Sequence, residues 1–409
     1  MLDHLRPQYA KAFRCIGPEC EDTCCHGWDV PIDQATYEKY QSTPSLRPRA
    51  DQHLVLITQN PTNANHARIK LTPALTCPFL AADRLCSIQN EYGEEYLSDA
   101  CATYPRVTRR IDGLMEKALF LSCPEAARLV LLNPALLELD PTATNGRSPY
   151  YRFFLPGVAR PNGTPDQHLW EIRSFILLLL QDRAYPLWQR LFILGMFCKR
   201  LKETISPQQI ELVPKLLKDY AAIITQGTLR PSMDGIAAQT APQLGAVLQI
   251  IQRHLDLQIA DPGHIRFREC VQDFLQGIHY DPGSSLESCT SFYAEAHARY
   301  YQPFMHDHPF ILENYLINYV FRTQFPFGIN PQSEASDPQS EYLQMTIQYA
   351  AIKGLLIGIA SHYQEALAAA HVVKLIQSFS KAVEHCPKFL EASNPALGSA
   401  EGMALLLKT

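Results

Sequence analysis

From about residue 167 onward, apolar residues return every three or four positions, the period of helices with one buried face. Residues 167–182, 185–203, 242–259, 265–280, 285–305, 308–325, 340–367 and 370–386 all carry this pattern. A further helix is expected over 207–226, with Pro214 bending or breaking it. Eight or nine helices in roughly 240 residues predict an all-α domain, and no fixed period points to a solenoid.

The first 135 residues read differently. The spacing predicts a short helix over 32–41 and short strands at 53–59 and 66–71. A polar helix starts near Asn90 and stops at Pro105. Asp112-Gly113 lies between two strand-like runs, a strong hairpin signal. Pro124 in a first-turn position, followed by Glu125, opens another helix. Residues 136–166, rich in Pro, Asn, Gly and Thr, read as a linker or long surface loop. The expected fold class is therefore mainly α: a small cysteine-rich α+β domain with a β-hairpin over 1–135, then a large all-α domain over 167–409.

Composition narrows the function classes. A chain of 409 residues with 46% hydrophobic and 19% charged residues is ordinary for a globular protein. A net charge of −5 leaves no basic footprint for nucleic acid or an anionic membrane. The N-terminus has no apolar core of a signal peptide, and the most apolar run, Phe175 to Leu180, is far shorter than the roughly 20 residues of a spanning helix. A soluble, cytoplasmic protein is expected.

Eight of the twelve cysteines fall between Cys15 and Cys123, while Cys198, Cys270, Cys289 and Cys386 are scattered. In a reducing compartment such crowding points to metal ligation before disulfides. Thiolate is the ligating form, and several thiolates gathered without a cation repel one another. Soft sulfur ligands select zinc, Cu(I) or iron–sulfur clusters. Structural zinc usually shows two separate pairs of ligands. Here Cys15, Cys20, Cys24 and Cys25 overlap in spacing, and Cys77, Cys86, Cys101 and Cys123 stand singly. The ferredoxin-like run is absent too, so spacing leaves both iron–sulfur and zinc open. His26 reads as a surface or supporting histidine before a ligand.

The segments "KAFRCIGPECEDTCCHGWDVPID", "LCSIQNEYGEEYLSDACATYPR", "LSCPEAARLVLLNP" and "ILENYLINYVFRTQFPFG" closely resemble the flagellin lysine-N-methylase family, over about residues 9 to 368. The cysteine core also resembles a broader family of zinc- or iron-chelating cysteine-cluster proteins. The first resemblance implies transfer of methyl groups from S-adenosylmethionine to lysine ε-amines of flagellin or another lysine-bearing protein. It also implies an iron–sulfur cluster of the 4Fe-4S type, with zinc as the alternative metal. The ligand candidates it carries over are Cys20, Cys24, Cys25, Cys77, Cys86 and Cys101, then Cys15 and Cys123. An iron–sulfur or zinc protein without methyl transfer is the alternative function.

The residues alone speak thinly for methyl transfer. No G-x-G-x-x-G follows a strand, and the C-x3-C-x2-C run of radical chemistry is missing. Arg106 and Tyr104, flanking Pro105 beside Cys101, are candidates for the donor's carboxylate; Arg106 could equally hold the hairpin. Tyr92, Glu94, Glu95, Tyr96 and Asp99 read first as a solvated face, with an acidic wall for a lysine as the functional alternative. Glu313, Asn314, Tyr315 and Asn318 interrupt an apolar helix face and suit a polar site, an interdomain contact or helix packing. Trp28, Trp170 and Trp188 are expected in the core.

Overall fold

The computed structural model describes residues 9–27, 29–111, 114–137, 164, 166–206, 209–258, 264–281, 283–328, 337–384, 402, 407 and 408. The expected linker falls mostly outside these residues, as do Trp28, Cys386 and the Asp112-Gly113 turn.

The first part of the chain builds α1 (Tyr9–Ala12), β1 (Pro31–Ile32), α2 (Gln34–Ser42), α3 (Arg47–His53), β2 (Leu54–Leu56), β3 (Ala67–Ile69), α4 (Ser87–Tyr92), α5 (Asp99–Thr103), β4 (Arg106–Ile111), β5 (Leu114–Leu119) and α6 (Pro124–Leu131). The three short strands pair antiparallel in the order β1-β3-β2. The expected hairpin is present, with Arg106 opposite Leu119 and Ile111 opposite Leu114. One prediction is corrected. The segment from Asn90 to Pro105 is not one helix but two helices and a 3-10 turn over Glu94–Tyr96. Gly93 ends α4 in a positive-φ conformation that favours glycine, and the Ser98 side chain restarts the helix by accepting from the Cys101 amide.

The second part is helical, as expected: α7 (Leu169–Gln181), α8 (Leu187–Thr204), α9 (Val213–Gln226), α10 (Arg230–Asp234), α11 (Thr240–Gln258), α12 (Ile265–Gly277), α13 (Leu286–Ala296), α14 (Gln302–Asp307), α15 (Phe310–Thr323), α16 (Pro338–Tyr363) and α17 (Ala369–Phe379). Pro214 marks a break in the segment expected as one helix over 207–226: a 3-10 turn over Ile210–Leu212 comes before it, and α9 starts at Val213. The proline sits in the first turn of α9, where its missing N–H costs nothing. Among the described residues two π-helical turns occur, His297–Tyr301 and Ser380–Glu384.

Two apolar cores organise these elements. The smaller is formed by Val30, Ile32, Tyr40, Leu46, Phe79 and Ile88, with Cys25, Cys77, Cys86 and Cys101 packed in or against it. The larger joins the helices of the second part, but it also takes in Phe13, the hairpin and α6. At its centre α12 and α16 cross so closely that a Cβ on Gly277 would collide with the Gly358 carbonyl. The segment Pro338–Ala366 is long and apolar enough to cross a membrane, yet 89% of its most apolar window is buried among neighbouring elements.

Polar side chains on α15 stitch the two parts together. Asn314 Nδ2 donates to the carbonyls of Val130 at 2.9 Å and Asn133 at 2.7 Å. Asn318 Nδ2 donates to Leu119 O, and its Oδ1 accepts from the Tyr9 hydroxyl at 2.7 Å. Glu313 instead receives Arg183 and Arg190 inside the helical part, while the buried Arg173 reaches Glu116 on β5 at 2.9 Å. Of the alternatives the sequence left for this motif, interdomain contact and helix packing are the ones realised.

Candidate functional site

Five cysteines line one small cavity of about 90 Å³: Cys24, Cys25, Cys77, Cys86 and Cys101. Short-range backbone pairing brings them there. Cys77 N donates to Cys25 O and Gly27 N to Leu75 O, so the two cysteine segments run side by side. Ser87 N bonds Phe79 O, placing Cys86 at the start of α4. Cys101 lies in the first turn of α5, which is anchored when the Asp99 amide donates to Asp33. Burial alone would raise the Asp33 carboxyl, but the amides of Asp99 and Thr36 outweigh it and hold the pKa low.

The thiols press on one another. Cys24 is lifted well above its ordinary value, first by its hydrogen bond with Cys25 and then by burial. For Cys25 the bond with Cys24 pulls down, yet the bond with Cys77, burial and nearby sulfurs push it up to about 12. Cys77 is lowered by the Cys25 bond against burial. Cys101 rises to about 11 through burial, with Cys86 and Cys24 adding to it. This is the repulsion that a bound cation relieves. Among the described residues, no group of three or more His, Cys, Asp or Glu side chains is gathered tightly enough for a single metal ion.

A second cavity, of about 290 Å³, adjoins the first and shares Cys24 and Tyr104 with it. Its other walls are His26, Gly27, Ala100, Thr103, Arg106, Phe120, Ser122 and Lys381. The Tyr104 hydroxyl lies 3.0 Å from Ser122 Oγ, and burial keeps it a phenol by raising its pKa. Arg106 stacks over the Phe13 ring and donates to Phe13 O while facing the cavity, so it holds the N-terminal segment as well. The helical part closes this cavity from behind. Lys381 Nζ reaches Asp22 Oδ1 at 2.7 Å and Thr23 O at 2.9 Å. Gln377 Nε2 bridges Asp22 Oδ2 and Ser122 O.

With this geometry in place, the sequence of the helical part decides the lineage. A family profile described as the FliB lysine N-methylase C-terminal domain matches residues 173–407, more than half of the chain. The chain belongs to the FliB lysine N-methylase family. Curated relatives agree. This FliB-family chain is 26% identical over 385 residues to the protein named Lysine-N-methylase of Salmonella choleraesuis (strain SC-B67), covering 93% of the chain and 91% of the relative. It stands in the same relation to the Lysine-N-methylase of Salmonella typhimurium (strain LT2). It is 34% identical over 136 residues to the flagellar biosynthetic protein FliU of Salmonella muenchen, covering 32% of the chain and 79% of that relative. No solved structure matches.

Of the eight cysteines expected as ligands in this FliB-family protein, the structure brings five to one cavity. Cys20, Cys15 and Cys123 stand outside its wall. Burial raises Cys20 first, with Cys15 adding to it, and burial pushes Cys123 up to about 12, with Cys20 and Cys24 contributing. Tyr104 and Arg106, named from sequence, both line the second cavity. His26 does so too, away from the thiol cavity, with its Nδ1 buried and lacking a hydrogen-bond partner among the described residues. Glu94, Glu95 and Asp99 are exposed and line neither cavity, matching the solvated-face reading. Sequence reasoning missed Lys381, Gln377 and Asp22. Nothing local marks them, because their contacts join positions more than 350 residues apart.

Proposed function

We propose that this protein is a lysine N-methyltransferase that takes its methyl group from S-adenosylmethionine, acts on flagellin lysines and holds a 4Fe-4S cluster in the thiol cavity. The observation that carries the reading is the pair of adjoining cavities, one walled by five cysteines and the other polar, divided by Cys24 and Tyr104. The names of the two long relatives support methyl transfer to lysine, and the name of the third supports a flagellar substrate.

The donor set is of the soft, all-sulfur kind that a cluster takes. A cubane takes four thiolates, and Cys25, Cys77, Cys86 and Cys101, with Cys24 as a fifth candidate, surround one space. Held by only three of these thiolates, such a cluster would leave one iron open to the amino and carboxylate groups of a neighbouring ligand. Arg106 and Tyr104 are assigned to the methyl donor. The guanidinium suits a carboxylate, and the Tyr104 phenol supplies a neutral hydrogen-bonding wall. In the overall reaction the methyl carbon leaves sulfur for the lysine nitrogen, S-adenosylhomocysteine is released, and the amine gives up a proton. Positioning of the two reactants is what the cavity walls contribute. The reaction is placed in the cytoplasm, whose reducing poise keeps clustered cysteines as thiols.

The test has two parts. Iron, acid-labile sulfide and zinc are measured per chain on protein purified without oxygen, and about four irons with four sulfides are expected. Mass spectrometry then follows methylation of flagellin by labelled S-adenosylmethionine, which Cys77→Ser and Cys101→Ser abolish. Stoichiometric zinc without sulfide would overturn the cluster, and flagellin left unmodified by cluster-loaded protein would overturn the methylase reading.

A further inference from the structure

A lysine stands in the wall of the second cavity, and its two partners, Asp22 and Thr23, lie behind that wall. Lys381 projects from the π-helical turn after α17 into the cavity wall, and its ammonium is held by Asp22 Oδ1 at 2.7 Å and Thr23 O at 2.9 Å. Both partners are largely buried, with side-chain exposures of 12% for Lys381 and 14% for Asp22. A tie between the two parts of the chain does not need this pair, because Gln377 Nε2 already bridges Asp22 Oδ2 and Ser122 O. Nor does Asp22 depend on Lys381 for its orientation. Its Oδ1 also accepts from Thr23 N at 2.7 Å, and its Oδ2 keeps Gln377.

We infer that Asp22 and Thr23 O form the seat for the ammonium of an incoming substrate lysine, and that Lys381 occupies this seat when no substrate is present. The identity of the guest rests on the methylase reading; the seat itself rests on the geometry. A substrate lysine brings the same charge and the same four-carbon stem as the side chain it replaces. The Tyr104 and Phe120 rings in the cavity wall, 6.5 Å apart and nearly parallel, offer apolar surface to the stem, while Arg322 already stands over the Phe120 ring at 5.9 Å. In this assignment Lys381 vacates the seat by rotation of its own side chain. Cys24 lines the same cavity, so a lysine seated there lies beside the wall shared with the thiol cavity.

An internal occupant lowers the apparent affinity for a guest by the fraction of time it blocks the seat. The experiment titrates Nα-acetyl-lysine methylamide, and its uncharged norleucine counterpart, into the full-length protein by calorimetry. With Lys381 filling the seat at least nine-tenths of the time, Lys381→Met binds the lysine probe at least about tenfold more tightly than the unmodified protein. Adding Asp22→Asn to that variant should remove both the gain and the preference over norleucine. Should Lys381→Met fail to fold, Lys381→Gln carries the same expectation with a smaller gain. Unchanged or weaker binding on loss of Lys381, or a gain that survives Asp22→Asn, overturns the seat. The assay needs no turnover. A seat that behaves as expected in a protein that methylates nothing refutes the methylase reading alone, and methylation with no response to these variants refutes the seat alone.

Discussion

Lys353 is a buried amine on α16 that donates to the Leu407 carbonyl at 2.8 Å and has no ion pair among the described residues. Burial lowers its pKa from 10.5 to about 7. At 1.36 kcal/mol per pH unit this amounts to about 5 kcal/mol of strain on the protonated folded state. The sign follows from the two ends of the window. An unfolded lysine keeps its proton to about pH 10.4, whereas the folded one loses it above about 7. Between those values the unfolded chain binds more protons, so stability rises with pH, and below the window the full cost is present. His297, pushed down to about 4 by burial first and by Lys353 second, stays neutral throughout. Lys353→Met keeps the stem and removes the amine. Urea midpoints followed by far-ultraviolet circular dichroism at pH 7, 8 and 9 should show the unmodified protein gaining about 2–3 kcal/mol on the variant across that range. The thiols titrate in both proteins and cancel in the difference. A difference that stays flat with pH, or that falls, refutes a neutral amine in the core.

Other substitutions test the packing. Glu313→Gln leaves the buried Arg190 without its carboxylate and should cost about 3–5 kcal/mol in chemical denaturation, with near-normal stability contradicting the buried network. Gly277→Ala sets a methyl against the Gly358 carbonyl and should destabilise by more than about 3 kcal/mol; a soluble variant with an unchanged melting curve would show that α12 and α16 are not in such close contact. Asn314→Ala strips Val130 O and Asn133 O of a donor and should cost about 1–3 kcal/mol, read from the unfolding midpoint.

The helical half was legible because each helix carries its own periodic apolar face, and the hairpin because Asp-Gly separates two strand-like runs. The five cavity cysteines all came from the set singled out by their crowding and by family resemblance. Cys20 belonged to that set as well, yet it points elsewhere, since spacing in sequence does not say which way a loop turns its sulfur. Gly93 and Ser98 show a break that local chemistry does encode: a positive-φ stop, then a serine cap. The polar cavity was only half legible. Tyr104 and Arg106 stand beside a cysteine and drew attention, but Asp22 and Lys381 meet through tertiary folding alone.

That separation along the chain has a consequence for how the protein is made. Every cysteine of the small cavity has been synthesised by residue 101, whereas Lys381, which closes the neighbouring cavity, comes about 280 residues later. At roughly 5–20 residues per second the interval lasts on the order of tens of seconds. During that time the cysteine segment is without the helical bundle that later backs it. The smaller apolar core, which runs from Val30 to Ile88, is likewise complete in sequence before the helical half begins, whereas the polar cavity exists only once the last helices have folded back onto Asp22 and Ser122.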